Sequence, residues 1–118
     1  MVRLQALWVC AVGWLSSAAA AADSKGVYTV LSFGTGSCSQ VVKDIEEDGP
    51  RRLASSTWVG GYLTAINRVS FKGKDVSAGT DGEGRMQWIA NYCKTNFLDT
   101  LETATLALVD ELRRRAAR

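Results

Sequence analysis

Residues 88–112, WIANYCKTNFLDTLETATLALVDEL, contain the clearest folding signal in the chain. Apolar side chains recur there at the three- and four-residue spacing that places them on one face of an α-helix. In the second half of the stretch this face comprises Leu98, Leu101, Ala104, Thr105, Leu108, Val109 and Leu112. Asn96 is the expected N-cap, and Arg113, Arg114 and Arg115 lie at the other end, where the helix dipole favours cations. The pattern predicts a final amphipathic helix with one buried face.

Three further helices are predicted upstream, at about residues 38–47, 50–70 and 82–94, with Ser37 and Asp81 as candidate caps. Their inward faces are expected to be Cys38, Val41, Val42 and Ile45; then Trp58, Val59, Tyr62, Leu63, Ile66 and Val69; then Met86, Ile89, Tyr92 and Cys93. Residues 25–33, KGVYTVLSF, are rich in β-branched and aromatic side chains and favour a short extended segment or strand. The predicted fold is therefore mainly α, a small four-helix domain with a short extended N-terminal segment.

Residues 1–22 have the pattern of a secretory signal peptide. Arg3 supplies the positive start, an apolar run follows, and Ala20–Ala22 offers a small-residue cleavage site. The apolar run is shorter than the roughly 20 residues that span a bilayer, so no stable membrane insertion is expected after cleavage. The sequence thus predicts a periplasmic or secreted protein with one helical domain at residues 23–118.

Export would leave two cysteines, Cys38 and Cys93, in an oxidising compartment. An even number of cysteines in such a compartment favours a disulfide, and the close CxxC spacing typical of redox pairs is absent. We therefore expect one structural disulfide that joins the first and third helices.

The chain contains no histidine, which removes Ser-His-Asp, Cys-His and HExxH zinc chemistry from consideration. The acidic residues show no spacing that singles out a catalytic pair. Without Arg3, 13 of the 14 basic residues remain against 12 acidic ones, a balance that gives no reason to expect a nucleic-acid partner. We expect a protein that is not an enzyme, has no cofactor or metal, and binds another protein in an oligomeric state that the sequence leaves open.

Five residues are candidates for partner contact: Trp58, Gly60, Gly61, Tyr62 and Trp88. Two adjacent glycines within a helix cost about 1 kcal/mol each relative to alanine, so they indicate a steric reason. Close packing against another segment of the fold and a smooth docking face for a partner both remain open. A glycine-rich loop at residues 72–84 has no assigned role, although long loops in small domains are often functional.

Two motifs, WVGGYLTAIN at 58–67 and YCKTNFLDTL at 92–101, together with the apparent signal peptide, resemble small exported bacterial proteins of the HdeA-like and Tai/Rap-type immunity group. The resemblance covers most of the chain after the signal peptide. Similarity to the HdeA-like members implies a periplasmic acid-stress chaperone that exposes apolar surface at low pH. Similarity to the immunity proteins implies an inhibitor that recognises a secreted toxin or enzyme through a Gly-Tyr helix such as Gly61-Tyr62. A chaperone would loosen as carboxylates such as Glu46, Glu47 and Asp48 become protonated, whereas an inhibitor would stay rigid.

Overall fold

A computed structural model describes residues 27–118. Within this range the chain forms four α-helices: α1 (Cys38–Glu47), α2 (Pro50–Val69), α3 (Gly82–Thr95) and α4 (Leu101–Ala116). A short 3-10 helix, Ser32–Thr35, precedes them, and residues 27–118 contain no β-strand. The mainly helical, four-helix architecture is confirmed. The predicted signal peptide lies outside the described residues.

The starts of α1 and α3 follow from the capping residues that the sequence predicts. The Ser37 side chain accepts a hydrogen bond from the amide of Gln40, and the Asp81 side chain accepts one from the amide of Gly84. Each cap satisfies an amide of the first turn that has no partner within the helix. These two helix starts are confirmed.

The core lies between the four helices and is fastened by the Cys38–Cys93 disulfide, which joins α1 to α3. Both cysteines are fully buried. The buried apolar side chains are Cys38, Val41, Ile45, Val59, Leu63, Val76, Met86, Ile89, Ala90, Cys93, Leu101, Ala104, Leu108, Val109 and Leu112. Most were predicted from helical spacing, and the predicted disulfide is confirmed.

The start of α4 was predicted wrongly. The helix begins at Leu101 with Thr100 as its N-cap, and Leu98 is 100% exposed. Asn96 instead ends α3, because its side-chain amide donates to the carbonyl of Tyr92 over 2.8 Å. The residues between the helices form a turn, so Leu98 falls outside the buried face that it was expected to share.

The N-terminal segment forms no strand or hairpin within its described part. Residues 27–31 have no regular structure, and the chain then enters the 3-10 helix. Without a strand partner, the carbonyl groups of this segment accept hydrogen bonds from elsewhere in the fold: Leu31 from the Trp58 indole and Gly36 from the Leu101 amide. We call residues 27–36 the N-terminal arm.

The last turn of α2 extends beyond the core, since Val69 is 80% exposed although its spacing predicted an inward position. Tyr92 and Val42 are only partly buried. Three polar residues, Asp44, Ser55 and Glu102, are buried in positions that the apolar pattern did not identify. The helical spacing therefore located the buried faces correctly but not their full membership.

Candidate functional site

The N-terminal arm covers the aromatic side of α2. The indole nitrogen of Trp58 donates to the carbonyl of Leu31 over 3.0 Å. Gly34 is buried beneath the same ring, where a Cβ would lie 2.2 Å from Trp58 Cζ2. Glycine is therefore required at position 34. Trp58, predicted as a partner contact, is already partly occupied by the protein's own arm.

Glu102 of α4 connects the arm to α2 through two tyrosines. The carboxylate atom Oε1 accepts from the Tyr28 hydroxyl at 2.6 Å and from the Tyr62 hydroxyl at 3.5 Å. Burial, the Glu102 charge and the neighbouring Tyr28 raise the pKa of Tyr62 to about 12. The hydrogen bond to Glu102 also raises the pKa of Tyr28. Trp58 packs against Tyr62 with ring centroids 5.3 Å apart, so these side chains form one cluster under the arm.

Gly60 and Gly61 do not pack closely against another part of the described chain. Apart from the chain neighbours and the nearby backbone of α2 itself, no described atom lies within 4 Å of a Cβ built at either position. For residues 27–118, the interpretation that these glycines allow close approach of another segment is wrong. The outer surface of α2 is smooth at this point, which leaves the docking-face interpretation as a prediction.

Trp88 lies apart from the α2 residues, in a groove between α3 and α4. Its ring stacks on Tyr92 with centroids 5.9 Å apart and planes 17° apart. The groove has a volume of about 310 Å³. Its lining includes Arg85, Trp88, Leu108, Glu111, Leu112 and Arg115, with Gly79 and Thr80 from the loop before α3. We call this the Trp88 groove. Of the five predicted contact residues, Trp58 and Tyr62 lie under the arm, Gly60 and Gly61 lie on the open surface of α2, and Trp88 lies in this groove.

The loop before α3, residues 70–81, lines part of the Trp88 groove and is anchored to α2 by the carboxylate of Asp75. Asp75 Oδ1 accepts from the Ser77 hydroxyl at 2.7 Å, from the Ser77 amide at 2.9 Å and from the Asn67 side chain at 3.2 Å. These hydrogen bonds lower the pKa of Asp75, with the Ser77 hydroxyl as the largest cause. Asn67 Oδ1 in turn accepts from the amide of Val76, which is buried. The anchor therefore holds the one core residue that the loop contributes.

Glu111 lines the α4 side of the groove and pairs with two arginines of its own helix. It accepts from Arg115 Nε at 2.8 Å and from Arg114 Nη2 at 2.7 Å. These two hydrogen bonds lower the pKa of Glu111, with Arg115 as the larger cause. At neutral pH the Asp75 anion therefore fastens the loop to α2, and the Glu111 anion pairs with two arginines of its own helix.

The sequence did not reveal the cavity that Asp44 and Ser55 line. Neither residue was among the predicted site residues. The position of Asp44 between Val41 and Ile45 on the buried face of α1 was the available signal, because residues three and four apart share a helix face. Ser55 offered no comparable signal.

Among residues 27–118, no group of three or more cysteine, aspartate or glutamate side chains is arranged to hold a metal ion. No helix in the same range is both long and apolar enough to cross a membrane. Comparison of the chain with protein-family models, curated proteins and solved structures finds no match.

Proposed function

We propose that this chain is an exported, non-catalytic protein-binding domain that acts as an acid-responsive chaperone, as its resemblance to HdeA-like proteins implies. The observation that supports the proposal is the position of two carboxylates: Glu111 lines the Trp88 groove, and Asp75 lines an adjoining pocket that shares Thr80, Leu112 and Arg115 with it. Both carboxylates are stabilised as anions by local hydrogen bonds. The apolar lining of the groove is supplied by Trp88, Leu108 and Leu112.

The direction of the pH effect follows from the lowered pKa values. A carboxyl whose pKa is lower in the folded state stabilises that state above its unfolded pKa, and this stabilisation is lost as the pH falls through the folded pKa. The usual values are 3.8 for Asp75 and 4.5 for Glu111, and both are shifted downward. The hydrogen bonds that Asp75 accepts in the loop and that Glu111 accepts near the end of α4 therefore weaken below about pH 4.

Acid also changes the charge of the whole domain. Protonation of the 12 acidic residues leaves the lysines and arginines uncompensated, and self-repulsion then favours a looser state. Loosening at the groove would expose Trp88, Leu108 and Leu112 to unfolded client proteins. This is the binding mode that a chaperone active in acid requires.

The test uses the oxidised protein, recovered after export by a bacterial host and titrated from neutral pH to pH 2. Binding of an apolar-surface dye and near- and far-UV circular dichroism are followed together. We expect dye uptake below about pH 4 with helical signal retained, and reversal on neutralisation. A fold that binds no dye throughout the titration contradicts the chaperone proposal.

Two variants test whether the acid-induced dye binding depends on the carboxylates of Asp75 and Glu111. Asp75→Asn and Glu111→Gln remove the titrating anions, so we expect each to bind dye at a higher pH than the wild type. Asp110→Asn makes the same charge change at an exposed position of α4 and should leave the onset where it is. Equal onsets in all four proteins would separate the acid response from the Trp88 groove.

Export is tested on the same sample, because its mass reports the processed N-terminus. If the signal peptide is cleaved after Ala22, the measured mass will equal that of residues 23–118, and the protein will be found in the periplasm or the medium. Recovery of the full chain in the cytoplasm would contradict this part of the proposal.

One observation favours the second candidate, an immunity-type inhibitor of a secreted toxin or enzyme. Gly60 and Gly61 leave α2 open where the resemblance places the recognition surface. Gly61→Arg adds bulk there without an internal clash, so it should abolish one-to-one binding of a specific partner. Gly61→Ala is the matched control and should preserve binding while stabilising the helix by about 1 kcal/mol. The inhibitor proposal would be supported if the fold stays rigid at acid pH and if Gly61→Arg, but not Gly61→Ala, abolishes binding of the partner.

A further inference from the structure

A cavity of about 280 Å³ lies between the N-terminal arm and the facing sides of α1 and α2, and its wall combines polar and apolar side chains. Its lining includes Phe33, Gly36, Gln40, Asp44, Arg51 and Ser55. Pockets for drug-sized ligands span roughly 300–1,000 Å³, so this cavity suits a smaller molecule. It lies apart from the Trp88 groove and has no part in the chaperone proposal.

Two polar side chains of the cavity are almost completely buried. Asp44 is 2% exposed and Ser55 is 1% exposed. Within residues 27–118, the buried hydroxyl of Ser55 has no hydrogen-bond partner. A buried polar group without a partner costs about 1–3 kcal/mol, and native proteins contain few of them. The unpaired hydroxyl on the cavity wall therefore points to a bound polar molecule.

The hydrogen bonds of Asp44 leave part of the carboxylate available to such a molecule. Oδ1 accepts from Gln40 Nε2 at 2.8 Å and from Arg51 Nε at 2.9 Å. No donor among the described residues bonds to the second oxygen, Oδ2. Because carboxylate oxygens only accept, the missing group must carry N–H or O–H donors.

Arg51 places a positively charged hydrogen-bond donor at the rim of the cavity, whereas Asp44 places a negatively charged acceptor inside it. Its side chain is 56% exposed, and its guanidinium carbon lies 5.3 Å from the centre of the Phe33 ring. Only Nε is engaged with Asp44, so the terminal nitrogens can donate to a carboxylate in the paired geometry that guanidinium favours. Phe33 and Val41 add apolar surface beside these groups.

We propose that this cavity binds a small zwitterion, a free α-amino acid, with its ammonium group at Asp44 and Ser55 and its carboxylate at Arg51. The ammonium supplies the donors that Asp44 Oδ2 lacks, and it gives the buried hydroxyl a partner. The carboxylate replaces water on the exposed side of Arg51. The side chain of the amino acid contacts Phe33 and Val41.

Binding would join the N-terminal arm to α1 and α2, because the lining residues come from all three. A ligand that binds only the folded state raises the melting temperature in a concentration-dependent way. The test is therefore a thermal melt of the full exported protein at neutral pH, combined with calorimetric titration. The probes are L-alanine, L-leucine and L-phenylalanine, which share the zwitterionic group and differ in size.

Two analogues test each half of the zwitterion. N-acetyl-L-leucine lacks the ammonium charge and L-leucinamide lacks the carboxylate, so neither should raise the melting temperature as L-leucine does. If no amino acid binds at millimolar concentration, or if the analogues bind as tightly as L-leucine, the proposal is overturned.

Ser55→Ala distinguishes a ligand contact from a structural role. We expect at least a tenfold loss of amino-acid affinity with a melting temperature of the free protein that is unchanged or higher, since the variant removes an unpaired buried hydroxyl. Ser56→Ala, the same change at the neighbouring position outside the cavity lining, should leave affinity unchanged. Full affinity in Ser55→Ala would overturn the assignment of the ammonium position. Arg51→Gln tests the other end and should reduce affinity for L-leucine.

Discussion

All three tyrosines of the chain donate their hydroxyl hydrogen bonds to carboxylates. Tyr28 and Tyr62 donate to Glu102, and Tyr92 donates to Asp99 at 2.6 Å. A carboxylate beside a phenol disfavours the phenolate, since both would be anions. The pKa of each tyrosine is raised, and that of Tyr62 reaches about 12 through burial and the Glu102 charge.

A raised tyrosine pKa stabilises the folded state below pH 10, and this contribution is lost as the pH rises through the folded pKa. We therefore expect the near-UV absorbance of tyrosinate to appear above pH 10 in the folded protein and near pH 10 in denaturant. Tyr62→Phe should remove the step near pH 12 and leave the others. A folded protein whose tyrosines all titrate near pH 10 would contradict the hydrogen bonds to Glu102 and Asp99.

At the scale of the helix, the boundary between α3 and α4 shows why periodicity alone misplaced a residue. Leu98, Leu101 and Leu108 keep helical spacing across a turn that is not helical. Asn96 and Thr100 are both suitable N-caps by residue type. The choice between them depends on contacts distant in sequence: the amide of Leu101 donates to the carbonyl of Gly36, and that of Cys38 donates to the carbonyl of Asp99. A local pattern contains no information about these contacts.

The leucines on either side of the Thr100 cap test the position of the boundary. Leu101 is 0% exposed and Leu98 is 100% exposed. Leu101→Ala should lower the free energy of unfolding by about 2–5 kcal/mol, as a buried truncation does. Leu98→Ala should change it by at most about 0.5 kcal/mol. Urea unfolding measures both, and a large loss in Leu98→Ala would place the start of α4 nearer Asn96.

For the molecule as a whole, the sequence predicted the helix order, most of the buried faces and the disulfide, because each depends on local spacing or on cysteine number. The candidate sites were harder to predict, because they join distant segments. Tyr28 meets Glu102 across 74 positions of sequence, and Arg52 pairs with Glu83 between α2 and α3. Asp75 accepts a hydrogen bond from Asn67, which in turn accepts one from the amide of Val76. The composition of the loop does not reveal these contacts.

The disulfide is the longest-range covalent constraint in the described domain. Cys38 and Cys93 are 55 positions apart, and on the chain-entropy model a closed loop of that length stabilises the fold by about 4 kcal/mol. Small domains have a total stability of about 5–15 kcal/mol, so reduction should remove a large fraction of it. We expect the urea midpoint of the wild type to fall sharply in reductant.

The control for that experiment is a variant with Cys38→Ala and Cys93→Ala, which should unfold near the reduced wild type and be insensitive to reductant. Hydrogen bonds independent of the disulfide still hold α1 beside the start of α4, including that from the Cys38 amide to Asp99 at 2.8 Å. The reduced domain should therefore keep its helical signal at neutral pH but begin to bind apolar-surface dye at a higher pH than the oxidised one. Identical midpoints with and without reductant would show that packing alone stabilises the contact between α1 and α3.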